Sequence, residues 1–367
     1  TNAALETRIA TLEGGRGCTV ASSGHAAQVL ALFPLMSPGS EIVAASRLYG
    51  GSLQQMRNTY PKFGWKANIV DADQTDNFKR AVTDKTKAFF IESLANPGGV
   101  VSDIEAIARI AEDAGVPLIV DNTMATPFLC KPIDHGATIV LHSTTKFLSG
   151  TGTSMGGAIV DSGKFDWSKG GKFPSLAGPE PAYHGLNFHE TFGDMAYTFH
   201  CHAVGLRDLG PNQAPFNAWI TMLGIETLGL RMERHCANAQ KVAQHLEKHP
   251  AVAWVNYAGL PSNKYHSLAR KYLPRGAGSI FTFGVRGGYE TGIKLVDSVE
   301  LFSHVANIGD AKSLIIHPAS TTHRQLTDEQ RVAAGAGPDV IRLSIGIETV
   351  DDIIADLDQA LAKATAK

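Results

Sequence analysis

Along the first 142 residues two hydrophobic rhythms alternate. Short, nearly continuous apolar runs at 18–21, 41–45, 66–70, 88–92, 117–121 and 138–142 read as strands. Between them, apolar residues recur every three or four positions at 2–13, 24–35, 74–82 and 103–114, which predicts helices. In the first, Leu5, Ile9 and Leu12 form the stripe and Gly14-Gly15 stops it; in the last, Ile104, Ile107, Ala108 and Ala111 share a face. Strands and helices in alternation predict an α/β fold, a mostly parallel sheet with helices on both faces. The rhythm fades from 162 to 212, a stretch rich in Gly, Pro, His and aromatics, which reads as an irregular excursion over the active-site side. A helical pattern then runs from 216 to about 249 and leads into a second domain. There, strands at 279–285 and 341–344 mix with helices at 291–299 and 350–363, which predicts a smaller α+β domain. The expected division is 1–235 and 236–367.

Composition narrows the function classes. The 367 residues are 44% hydrophobic and 19% charged with a net charge of −2, which fits a globular chain with a large core. No basic surplus points to nucleic acid or a membrane surface, and no apolar run approaches bilayer-spanning length. Cys18, Cys130, Cys201 and Cys236 are widely spaced, so neither a disulfide framework nor a thiolate metal site is expected, and a cytoplasmic location is.

Candidate chemistry gathers where strands should end. Lys146 follows the apolar run 137–141 and the hydroxyl cluster Ser143-Thr-Thr145, and a glycine-rich loop comes directly after it. A solvated surface amine and a Schiff-base lysine are both compatible with that position. Asp121 ends the run 117–121, where ligands of open α/β sheets bind. A carboxylate there can pair with the pyridine nitrogen of pyridoxal phosphate (PLP), or simply cap a turn. Ser22-Ser23-Gly24-His25 opens a helix directly after a strand, which suits a phosphate as well as ordinary N-capping. Tyr49 beside Gly50-Gly51 can lie flat on an aromatic ring, and Arg342, alternating with apolar residues, needs a partner, a substrate carboxylate or an internal acid. Competing motifs fail. Gly150-Thr-Gly152 has Met155 where a dinucleotide fingerprint needs its third glycine. Gly163-Lys164 and Gly171-Lys172 lack a P-loop's Ser/Thr, and His200-Cys201-His202 has no companions for a metal.

Read in order, Leu12-Glu-Gly-Gly15, Ser22-Ser-Gly-His-Ala26, Tyr49-Gly-Gly51, Asn96-Pro97, Val120-Asp-Asn-Thr123, the Lys146 segment, Pro318-Ala-Ser-Thr-Thr-His323 and Arg342-Leu-Ser-Ile-Gly346 resemble the Cys/Met-metabolism family of PLP enzymes over essentially the whole chain. Tyr183-His-Gly185, the 206–210 stretch and Leu230-Arg-Met-Glu-Arg-His235 resemble its O-acetylhomoserine sulfhydrylase branch. The resemblance implies PLP fold type I, aspartate aminotransferase-like, with PLP bound to Lys146 and its pyridine nitrogen held by Asp121. It implies phosphate contacts from Ser23, Gly24, His25, Ser143 and Thr145, and Tyr49 stacked on the cofactor and moving protons. Asn96 would lie near the ring hydroxyl and the substrate, and Arg342 with Ser320 would hold a substrate carboxylate. Implied substrates are O-acetylhomoserine and sulfide, giving homocysteine and acetate. O-succinylhomoserine sulfhydrylase, cystathionine γ-synthase and γ-lyase activities are the alternatives, and a non-catalytic PLP-binding homologue is a further one. Gly51 stands where methionine γ-lyases carry cysteine, which argues against that activity. The family also implies a homodimer or homotetramer with shared active sites. Its relatives carry an arm before the 2–13 helix, and this sequence is expected to begin where that arm ends.

Overall fold

The computed structural model describes residues 1–96, 98–322, 324, 327–333 and 335–366. The chain forms two compact units. One comprises Thr1–Ser93, Ser102–Ser149 and Thr153–Ile225; the other comprises Leu94–Val101, Gly150–Gly152 and Glu226–Lys367.

The first unit is built on seven strands: β1 (Gly17–Ala21), β2 (Glu41–Ala45), β3 (Lys66–Val70), β4 (Thr86–Glu92), β5 (Leu118–Asp121), β6 (Ile139–Ser143) and β7 (Gly157–Asp161). Their order is β1-β7-β6-β5-β4-β2-β3. Neighbours from β6 to β3 pair in parallel, while β7 is antiparallel to both β6 and β1. Only β7 therefore runs against the rest, and the carboxyl ends of the other six gather on one side. β2 and β7 are buried along their whole length, the signature of strands covered on both faces.

Helix α1 (Asn2–Glu13) turns Leu5, Ile9, Ala10 and Glu13 inward and ends at Gly14 in the left-handed conformation (φ 73°). A Cβ on Gly15 would stand 2.2 Å from Val160 Cγ1, so the exit from α1 lies directly on β7. Helix α2 (Gly24–Leu32) begins two residues after β1 and packs on β6 and β7. Helix α3 (Ile104–Asp113) buries Ile104, Ile107 and Ala111 and is capped by Asp103, whose Oδ1 accepts from Ala106 N at 3.3 Å.

The stretch 162–212 is more ordered than its sequence suggests. Phe165, Trp167, Phe173 and Tyr197 meet in one aromatic cluster, with Trp167 and Tyr197 stacked at 5.1 Å. Tyr197 donates to Ala31 O and His202 meets Cys18 O, so this stretch covers β1 and the C-terminal half of α2. Its end reaches the carboxyl end of β1, where Pro211 O accepts from Ser22 N at 2.8 Å. Aromatic area in place of a repeating stripe holds it together, and periodicity cannot register that.

The expected single helix from 216 to 249 is two: α4 (Pro215–Glu226) and α5 (Leu228–Lys248), parted at Thr227. Positions 235 and 236 lie within α5, whereas the division between the units falls at 225/226. The second unit holds β8 (Val252–Asn256), β9 (Ile280–Val285), β10 (Ser303–His304), β11 (Leu314–Ile316) and β12 (Val340–Ser344) in the order β8-β9-β12-β11-β10, with α6 (Gly288–Ser298) and α7 (Val350–Thr365). All pairs but β10–β11 are antiparallel. Among the described residues no helix is long and apolar enough to cross a membrane, and no group of His, Cys, Asp or Glu is arranged to hold a metal. All four cysteines are free and buried.

Candidate active site

In the first unit the carboxyl ends of the strands set the geometry. Ser23 ends the β1–α2 turn with extended backbone and caps α2, its Oγ accepting from Ala26 N at 3.1 Å. The first amides of a helix have no intrahelical partners and attract anions. A Cβ on Gly24 would lie 2.8 Å from Ser143 Cβ, and one on Gly157 would lie 2.2 Å from Ser23 O. Glycine at these two positions lets the start of α2 sit directly against β6 and β7. Ser143 is held in turn by Thr123, whose Oγ1 accepts from Ser143 N at 2.8 Å. Thr145 Oγ1 donates to Gly156 O at 3.2 Å and accepts from Gly156 N at 3.1 Å, which ties the turn after β6 to the entry of β7.

Lys146 lies half-buried in that turn. Its N–H donates to Ser143 O and its carbonyl accepts from Ser149 Oγ, each at 3.3 Å. One strand along, Asp121 ends β5 with Oδ1 accepting from Thr123 N at 3.0 Å. Burial pushes its carboxyl above the ordinary range, and the hydrogen bonds from Thr123, the charge of His142 and the Gln28 amide pull it back. Gln28 donates to Ser52 Oγ at 2.7 Å, and its buried Oε1 has no partner among the described residues.

Tyr49 is anchored through its backbone: its N–H donates to Glu92 Oε1 at 2.6 Å, at the end of β4. Its ring lies 5.8 Å from that of His25, tilted by 30°. A Cβ on Gly51 would stand 2.4 Å from Tyr49 Cε1 and 2.7 Å from His25 Nε2, so any side chain at 51 competes with this ring pair. Burial lowers the His25 imidazole from its ordinary value and Asp121's charge works the other way, which sets His25 in the field of Asp121. Ser23, Gly24, His25, Tyr49, Asp121, Ser143, Thr145 and Lys146 all belong to the first unit.

Asn96, Ser320 and Arg342 belong to the second. Arg342 lies in β12 opposite Thr282 and Ile316, and donates to Asn96 Oδ1 at 3.3 Å and to Asn307 O at 3.2 Å. The partner foreseen for its charge is thus in part the Asn96 amide. Ser320 Oγ lies 2.9 Å from His317 Nδ1 and donates to His317 O at 3.2 Å. Pro97 and His323, from two of the quoted motifs, lie outside the described residues.

Sequence reasoning missed Glu92, Gln28 and Asn307 because their signals are spatial. Glu92 sits one strand from Asp121 in register. Gln28 lies one helical turn past Gly24, on a stripe that reads as core.

The residues fit a PLP-sized group. Glycines clear a helix start for a phosphate, a carboxylate and an unpartnered buried amide oxygen stand together, and that carboxylate and a lysine lie at neighbouring strand ends.

Residues 1–362 match the family model for the Cys/Met metabolism PLP-dependent enzyme. The chain is 50% identical to an O-acetyl-L-homoserine sulfhydrylase from Leptospira meyeri, over 97% of this chain and 83% of that protein. It is 49% identical to a homocysteine synthase from Schizosaccharomyces pombe, over 98% and 84%. A Campylobacter jejuni structure, described as an O-acetylhomoserine (thiol)-lyase and carrying N'-pyridoxyl-lysine-5'-monophosphate, superposes with a TM-score of 0.94 at 41% identity, covering 98% of this chain and 86% of that one.

Proposed function

The chain belongs to the Cys/Met metabolism PLP-dependent enzymes, and we propose that within them it is an O-acetylhomoserine sulfhydrylase. It makes homocysteine and acetate from O-acetylhomoserine and sulfide, a step of methionine biosynthesis. The reading is carried by the near full-length identity to a sulfhydrylase of that name, together with Lys146 and Asp121 at neighbouring strand ends.

PLP, when bound, supplies an electron sink that acidifies the substrate's Cα and Cβ protons. The chain's own residues do the rest. Lys146 holds the cofactor through its amine and, once displaced by substrate, carries protons at Cα and Cβ. Asp121 holds the pyridine nitrogen as a cation. Gly24 and His25 through their amides, with Ser23, Ser143 and Thr145, hold the phosphate. Tyr49 covers the ring and exchanges a proton near the departing acetate. Asn96 serves the ring hydroxyl, and Arg342 with Ser320 holds the substrate's α-carboxylate, a bidentate task suited to guanidinium. The crowding at Gly51 supports replacement over the γ-lyase chemistry of relatives with cysteine there. The enzyme is cytoplasmic and works as a homodimer or homotetramer with active sites shared between subunits.

Turnover of the PLP-loaded protein on acetyl and succinyl esters of homoserine, each with sulfide and with cysteine, tests the assignment. The acetyl ester with sulfide should give the highest kcat/KM. Preference for the succinyl ester or for cysteine would move the protein to another activity of the family.

A further inference from the structure

A buried polar network of the first unit lies beneath the strand ends. Glu13, at the end of α1, and His142, in β6, have fully buried side chains and face each other at 2.5 Å, Nε2 to Oε1. The same Oε1 accepts from Asn122 Nδ2 at 2.8 Å. Asn122, itself fully buried, also donates to Cys130 O at 2.9 Å and accepts from Ser93 Oγ at 2.7 Å. Glu13 Oε2 and His142 Nδ1 have no partner among the described residues.

Burying a carboxylate away from water costs several kcal/mol unless a counter-charge and hydrogen bonds offset it, and a packed apolar cluster would tie α1 to the sheet as well. The network's position points to a task beyond anchoring. Asp121, the last residue of β5, is the register partner of Leu141 in β6. Asn122 follows Asp121 directly after β5 and His142 follows Leu141 within β6, and Asn122 N donates to Leu141 O at 2.8 Å. The network thus grips the chain immediately behind Asp121 on its own strand and on the neighbouring one.

We infer that Glu13 and His142 are positioning residues for Asp121: a carboxylate–imidazole pair that fixes the strand ends and keeps the Asp121 carboxylate anionic beneath the cofactor nitrogen. Burial alone would favour a neutral Asp121, and His142 is among the groups that oppose this. Glu13, in contact with His142, is the counter-charge that favours a positive His142. Without Glu13, His142 loses its counter-charge and Asp121 drifts toward its neutral form. The inference rests on the proposed role of Asp121.

Protein reconstituted with PLP labelled with nitrogen-15 in the pyridine ring tests it, the readout being the nitrogen shift. The wild type should show a pyridinium. Glu13→Gln keeps the shape and removes the charge; it should raise the ratio of neutral pyridine to pyridinium about tenfold, the equivalent of one pKa unit. It should also weaken PLP retention while leaving the melting of the cofactor-free protein within a few degrees of wild type. Asp121→Asn is the second arm. Pyridinium lost in both variants supports the inference. Pyridinium lost in Asp121→Asn and unchanged in Glu13→Gln overturns it and spares the role of Asp121. Pyridinium unchanged in both overturns that role and the inference with it. If Glu13→Gln does not fold, Ser93→Ala trims the far end of the network; a smaller shift in the same direction supports the inference, and no shift overturns it.

Discussion

Asp161 ends β7 with its carboxyl inside the protein. Oδ1 accepts from Gly163 N at 3.0 Å, Oδ2 has no partner among the described residues, and burial pushes the group up from 3.8 to about 7. A folded-state value above the unfolded one means the folded protein binds this proton more tightly. The associated stability is complete below pH 4 or so and is lost as pH rises through 7. Asp161→Asn should therefore match wild type near pH 4 and exceed it at pH 8 by on the order of 2–4 kcal/mol in urea unfolding. Equal stability at pH 8 would mean Asp161 is not a buried acid. At Gly24 the effect is on the cofactor. Gly24→Ala forces a Cβ against Ser143 and should raise the PLP dissociation constant about tenfold, measured by cofactor titration. For Arg342→Lys the expectation is a rise in KM for O-acetylhomoserine of about 10–100-fold with kcat less affected, since a fork of donors is lost. A kcat loss at unchanged KM would point away from a carboxylate clamp.

At the scale of elements, what could be read and what could not have separate physical causes. Six strands of the large sheet were legible as short apolar runs, four of them because they lie in the sheet's parallel interior; β1 and β3 are its edges. β7 was not, because Gly157-Ala-Ile-Val-Asp161 follows a loop of Gly, Ser and Thr and looks like its tail. The break at Thr227 was hidden because Ile225 and Leu228 keep a helical spacing across it. β8, β10 and β11 are short strands of a mixed sheet, two of them with only two or three residues. Among the candidate residues, Lys146 and Asp121 stand at or just past the ends of the strands that the apolar runs predicted. Glu13 and His142 were not singled out, being 129 positions apart. Only folding α1 onto the sheet brings them together. The tightness of that docking is testable at Gly15. Gly15→Ala places a methyl into Val160 and should cost about 1–3 kcal/mol in urea unfolding. A loss below ~0.5 kcal/mol would show that the end of α1 has room to move.

For the molecule as a whole, the α/β fold with a large, mostly parallel sheet and a smaller mixed one matches a solved structure of the family, and the family model matches residues 1–362. Eight of the expected site residues lie on the first unit, with the parallel sheet, and three, Asn96, Ser320 and Arg342, on the second. Everything proposed for the reaction passes through one amine. The most direct test is homocysteine formation from O-acetylhomoserine and sulfide by PLP-loaded wild type and Lys146→Ala, with folding of both checked by circular dichroism. Wild type should form homocysteine, and the variant should fall by at least about 10²–10⁴-fold, the span of a lost acid–base group. A folded Lys146→Ala protein that makes homocysteine at the wild-type rate would contradict the account.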